Sequence, residues 1–188
     1  ALGTSQFVAL TATQLASLSA VQLSGLSAAD MALLTSTEAG TLSTTQLAAL
    51  STTQLAALSA SGIKGLTAAQ LASLSASQFS ALTATELAAM SATQIAGLDA
   101  THLGYLTTTQ LSGLTSTVIQ SLEPDQVAAL TTSQLAAWGA AALGGLDAEQ
   151  VAALSDAQLE TLSVAQMAGI SASAIGGLSD EQLALLST

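Results

Sequence analysis

Residues 42–57 read LSTTQLAALSTTQLAA, the same eight letters written twice. Neither regular structure keeps a face with a period of eight. An α-helix turns by about 100° per residue, so an eight-residue unit returns rotated by about 80°, and leucines would spiral around one long helix. In a strand, Leu42 and Leu47 have opposite parity and would point to opposite sides of a sheet. The unit must therefore carry its own turn.

The same unit runs through the chain. From Leu2 to Leu185 there are 23 octads with no insertion or deletion, with the consensus L-[S/T]-x-x-Q-[L/I/V]-A-[A/G/S]. Position one departs from Leu only at Met90, Trp138 and Ile170, and position six is apolar throughout. Position two is Ser or Thr except at Gly3, Asp99, Glu123, Gly139 and Asp147. Such regularity marks a repeat architecture, in which one unit cannot bury its apolar face alone.

Each octad reads as the start of a helix. Ser or Thr followed three residues later by Gln or Glu is a capping box: the hydroxyl accepts from the N3 amide, and the N3 side chain accepts from the cap amide. Ser43 with Gln46, Ser51 with Gln54 and Thr107 with Gln110 have this form. The apolar residue before the cap and the one at N4 form a hydrophobic staple, which pairs Leu42 with Leu47 and Leu50 with Leu55. The single proline, Pro124, falls at N1, where the missing N–H costs nothing.

These signals predict an all-α solenoid of short helices, one per octad and one and a half to two turns long, broken at every cap. A helix of that length is not stable alone, so neighbouring octads must supply the rest; Ala and Gly at positions seven and eight would let backbones approach closely. The Ser and Thr content makes a β-solenoid the alternative. Residues 1–188 are expected to form a single repeat domain, with octads over 2–185. Ala1 fits position eight of a preceding octad and residues 186–188 open another, so the expectation is a segment of a longer array.

Composition narrows the function. Charged residues are 7% of the chain, about a quarter of the usual share. Lys64 is the lone basic residue against a net charge of −11, so nothing can neutralise a nucleic-acid backbone or engage an anionic membrane surface. Ser, Thr or Gln interrupts every apolar run far short of the roughly 18 residues a membrane span needs. Zero cysteines exclude disulfides and thiolate sites and fit an extracellular bacterial protein. With no asparagine N-linked glycosylation is excluded, while O-linked modification stays open.

Few residues suggest a site. The octad LDATHLGY (98–105) holds the one histidine, His102, and the one tyrosine, Tyr105, beside Asp99. An Asp–His pair can orient and act as a base, but here Asp99 is a cap and His102 an N3 residue, a variant of the capping box. Nine of the twelve acids follow position 98, which raises calcium. Most of them fall at caps or in first turns, where they complement the helix dipole, and no calcium-loop spacing is present. No cofactor is expected. Trp138, in an octad lacking both Ser/Thr and Gln, is a candidate special contact. Thr85, Thr93, Thr101, Thr109 and Thr117 recur at position four, and would form a binding ladder if successive octads shared a face.

The units LTATQLAS (10–17), LSTTQLAA (42–49) and LTTTQLSG (106–113) resemble the octad arrays of very large secreted or surface proteins of Gram-negative bacteria, of adhesin-like or RTX-like type. The resemblance covers the whole chain and implies a repeat class, a location outside the cell or on its surface, and no defined active site. RTX calcium binding does not carry over, because its nonapeptides are missing. A non-enzymatic spacer, stalk or adhesin array is the resulting expectation. The alternatives are a self-assembling filament, sheath or surface layer, joined through open repeat ends or lateral faces, and a Ser/Thr-faced module that binds a glycan, ice or another protein.

Overall fold

A computed structural model describes residues 4–186 of the chain. Leu2 and Gly3 at the start, and Ser187 and Thr188 at the end, lie outside the described residues. Among those described there are 23 α-helices and no strand, one helix to each octad from α1 (Thr4–Phe7) to α23 (Asp180–Leu185). The protein is an all-α solenoid of short helices, and the β-solenoid is ruled out. The helices are shorter than the sequence suggests, at four to six residues each, a little over one turn to about one and two-thirds turns.

Most helices begin and end by the same local rules. The residue before the helix has extended backbone, as at Ser43 with φ −72° and ψ 159°, and its side chain accepts from the N3 amide. The last turn tightens into an i→i+3 bond: Leu50 N donates to Leu47 O at 3.1 Å, and Leu58 N to Leu55 O at 3.0 Å. No described residue, glycine included, has a positive φ. The chain therefore leaves each helix without a left-handed cap, and its glycines serve another purpose.

The chain divides into two compact units, Ala1–Gly97 and Leu98–Thr188, with the division falling between octads. In the first, α1, α4 (Ala28–Ala32), α7 (Thr52–Leu55) and α10 (Ala76–Phe79) pack one on the next. So do α2 (Ala12–Ala16), α5 (Ser36–Gly40), α8 (Ala60–Gly65) and α11 (Ala84–Ala88). In the third column α3 (Ala20–Ser24) packs on α6 (Thr44–Ala48), and α9 (Ala68–Ala72) on α12 (Ala92–Ala96).

The second unit repeats the scheme. One column holds α13 (Ala100–Gly104), α16 (Pro124–Ala128), α19 (Ala148–Ala152) and α22 (Ala172–Ile175). The next holds α14 (Thr108–Ser112), α17 (Thr132–Ala136), α20 (Asp156–Thr161) and α23, and the last α15 (Ser116–Gln120), α18 (Ala140–Leu143) and α21 (Val164–Met167). In both units one superhelical turn is three octads, or 24 residues, and helices stack on those a full turn away.

Away from the two ends of the described residues, the two apolar positions of the octads face inward. Leu42, Leu47, Leu50 and Leu55 are all buried, between 0% and 3% exposed, and the pattern continues with Leu71 and Leu74 and, in the second unit, with Leu111, Leu135 and Leu159. Small residues at positions seven and eight set how close successive turns come. A Cβ on Gly65 would stand 1.9 Å from the carbonyl oxygen of Ser36, one turn below, and a Cβ on Gly40 would stand 2.8 Å from Gly65 O. Gly145, Gly169 and Gly177 approach the carbonyls of Ser116, Ala140 and Ala148 in the same way. At these positions glycine is required for space.

Candidate functional site

The polar residue at position five has two tasks. In α6 the Oε1 of Gln46 accepts from Ser43 N at 2.7 Å, completing the capping box. Its Nε2 donates to Leu18 O at 2.8 Å and Ala16 O at 3.1 Å, 28 and 30 residues back. Gln54 repeats this, accepting from Ser51 N at 2.9 Å and donating to Leu26 O at 2.9 Å and Leu23 O at 3.0 Å. In the second unit Gln134 donates to Leu103 O and Leu106 O, and Gln150 to Ile119 O at 3.0 Å. One amide thus caps the N-terminus of its own helix and satisfies carbonyls at the end of a helix in the turn below, groups a helix leaves unpaired.

Burial raises the stakes of these bonds. Gln46 and Gln54 are each 5% exposed and Gln150 is fully buried, so a lost partner would not be replaced by water. A capping box accepts Glu as readily as Gln, yet Gln outnumbers Glu at position five by fifteen to two. The donating half of the amide explains the choice, because a carboxylate has no hydrogen to give. This role is missing from the capping-box reading, and the Gln-to-Glu imbalance is the signal that points to it. Thr107 N likewise donates to Gln110 Oε1 at 2.8 Å, and Gln110 N to Thr107 Oγ1 at 3.3 Å.

The octad with the histidine brings its three unusual residues together. His102 N and Nδ1 lie 3.0 Å and 2.7 Å from Asp99 Oδ1, and the Tyr105 ring meets the imidazole edge-on at 5.9 Å between centroids. The backbone amide of His102, and then its ring, hold the Asp99 carboxyl below the ordinary value of 3.8. The pair lies within one helical turn, with Asp99 at the cap and His102 at N3. It is a side-chain N-cap, and the N3 side chain bonds the cap's carboxylate.

The remaining candidates are structural in their surroundings. Trp138 takes the leucine position, 1% exposed, and its Nε1 is buried with no hydrogen-bond partner. The helix it precedes, α18, starts at Gly139 with no side-chain cap. Asp99 and Asp147 serve as caps, and Asp125, Glu149 and Asp156 sit in first turns. No group of three or more potential metal ligands occurs among the described residues. Thr101, Thr109 and Thr117 belong to α13, α14 and α15, which head three different columns, so successive octads do not place them on one face. No helix among the described residues is long and apolar enough to cross a membrane.

Residues 119–156 match the ALTTAQ repeat family. The matched stretch contains Ala129-Leu130-Thr131-Thr132-Ser133-Gln134, a junction between two octads that differs from the family's name at Ser133 alone. The chain is a repeat protein. No curated protein and no solved structure matches it.

Proposed function

We propose that the chain is a non-enzymatic structural element of an extracellular or surface-exposed bacterial protein, a spacer, stalk or adhesin-like array that holds a distance. The observation that carries this reading is the double use of glutamine. The recurrent polar side chains, Ser, Thr and Gln, are committed at octad after octad to capping their own helix and fastening the turn below. Buried side-chain bonds between successive turns suit a part that must resist being drawn apart, and they leave the sequence free to be extended by further copies of the same unit. The resemblance to octad arrays of secreted bacterial proteins and the absence of cysteine support the location.

Sedimentation velocity and negative-stain electron microscopy over a wide range of concentration test the reading. A spacer gives discrete particles of one 18.4 kDa chain at every concentration. Growth into fibres or sheets with concentration overturns it in favour of a self-assembling filament or surface layer, and saturable binding on a glycan array would make the chain a binding module. Protease added to intact producing cells tests the location, which fails if the protein is protected until the cells are lysed.

A further inference from the structure

Glu86 occupies position five between two octads that carry glutamine there, Gln78 and Gln94. It is 3% exposed. One carboxyl oxygen, Oε2, accepts from Thr83 N, and Glu86 N donates back to Thr83 Oγ1 at 3.2 Å, so the capping box is intact. The other oxygen, Oε1, is buried and has no hydrogen-bond partner. In the flanking octads the corresponding atom is a donor. Gln78 Nε2 reaches Leu50 O at 2.8 Å and Leu47 O at 2.9 Å, and Gln94 Nε2 reaches Leu66 O and Ile63 O at 2.7 Å each. The same spacings of 28 and 31 residues lead from Glu86 to the carbonyls of Leu58 and Leu55.

An ionised carboxylate in that slot would set acceptor against acceptor, away from water, which is costly for both. A protonated carboxyl has one O–H, and the slot offers it a carbonyl. We propose that Glu86 is held as the neutral acid, with its O–H donating to the Leu58 carbonyl, and that this rung of the first unit opens as the pH rises.

Burial pushes the Glu86 carboxyl above the ordinary value of 4.5, against the lowering effect of its bonds from Thr83. The elements around it bring little compensating charge. The helix packed on α11 is α8, whose one ionisable residue is the exposed Lys64. The helices α7, α10 and α12 carry no ionisable side chain. A folded chain that holds the proton more tightly than the unfolded chain has its full stability below 4.5, and loses stability as the pH rises through the higher folded value.

Glu86→Gln restores the residue used by the neighbouring octads and supplies a donor that does not titrate. Two measurements decide the matter: carbon-detected NMR titration of glutamate-labelled protein, and urea unfolding of both proteins between pH 4.5 and 9. The expected results are a Glu86 Cδ midpoint above 4.5 and an unfolding midpoint of the parent protein that falls steadily behind that of E86Q as the pH rises. A Cδ midpoint at or below 4.5, or a gap between the two proteins that stays constant with pH, overturns the proposal.

Discussion

Gln54 Nε2 donates to the carbonyl oxygen of Leu26 at 2.9 Å, across 28 residues of sequence. The same side chain accepts from Ser51 N, three residues away, at 2.9 Å. A local signal, which starts a helix, and a long-range one, which sets the spacing of turns, are thus carried by opposite ends of one amide. Shifting the helix start would pull the donor from its carbonyls, so local and global structure agree at each octad. Such agreement across levels is what lets a sequence of few residue types specify one fold.

The two halves can be separated by mutation. Ser51→Ala removes the cap hydroxyl and leaves the amide in place, at a cost of about 1 kcal/mol. Gln54→Ala also strips the carbonyls of Leu23 and Leu26 of their buried donor, and is expected to cost about 2–4 kcal/mol. Urea unfolding followed by circular dichroism compares them. Equal losses from the two variants would mean that the long-range bonds contribute nothing.

Glycines in the octads should respond in opposite ways to a methyl group. Gly65→Ala places a carbon 1.9 Å from Ser36 O, and backbone facing backbone cannot relax by a rotamer change, so a loss of about 3 kcal/mol is expected. At Gly104, exposed at the end of α13, an added Cβ meets nothing within 4 Å. Gly104→Ala should therefore stabilise by about 0.5–1 kcal/mol through helix propensity and a less flexible unfolded chain. Thermal unfolding of the two variants reads both signs.

How far the sequence carries is decided by range. The caps, staples and helix starts follow from residues within four or five positions of each other, and Ser43, Gln46, Leu42 and Leu47 can be placed from one octad alone. The three-octad turn depends on which helices pack, and no single octad encodes that. A trace of it does lie in the letters: Gly40 and Gly65, like Gly144 and Gly169, stand one residue more than a full turn apart, and each pair marks a close approach between turns. The Gln-to-Glu imbalance points to a donating role for glutamine, but its acceptors are hidden for the same reason, since they lie 28 to 31 residues away. The place of His102 in the octad makes it an N3 residue, but its bond to the Asp99 side chain depends on ring geometry that the pattern does not specify.

Acid should weaken the start of α13 through Asp99. The His102 amide, followed by its ring, holds this exposed carboxyl below 3.8, so the folded chain gives up the proton more readily than the unfolded one. The stability this lends is complete above 3.8 and is lost as the pH falls through the lower folded value. Asp99→Ser keeps a cap oxygen without the titration, and between pH 5 and 2 its unfolding midpoint should fall less than that of the parent protein. Parallel curves for the two proteins would show that the pair has no linked effect.

Trp138 offers the most direct test of the core. It is the only tryptophan, 1% exposed, with its indole N–H buried and unpaired. Acrylamide should quench its fluorescence weakly in the folded protein and strongly in urea. Trp138→Ala leaves a cavity in the second unit and should cost about 3–5 kcal/mol. Trp138→Phe keeps an aromatic ring and removes the unpaired donor, so the lost volume is offset by relief of a desolvated N–H, which is worth about 1–3 kcal/mol. The net change expected for Phe is within about 1 kcal/mol of zero, by urea unfolding. A loss for Phe as large as that for Ala would mean that the indole N–H has a partner in solution, and that this position does more than fill the place of a leucine.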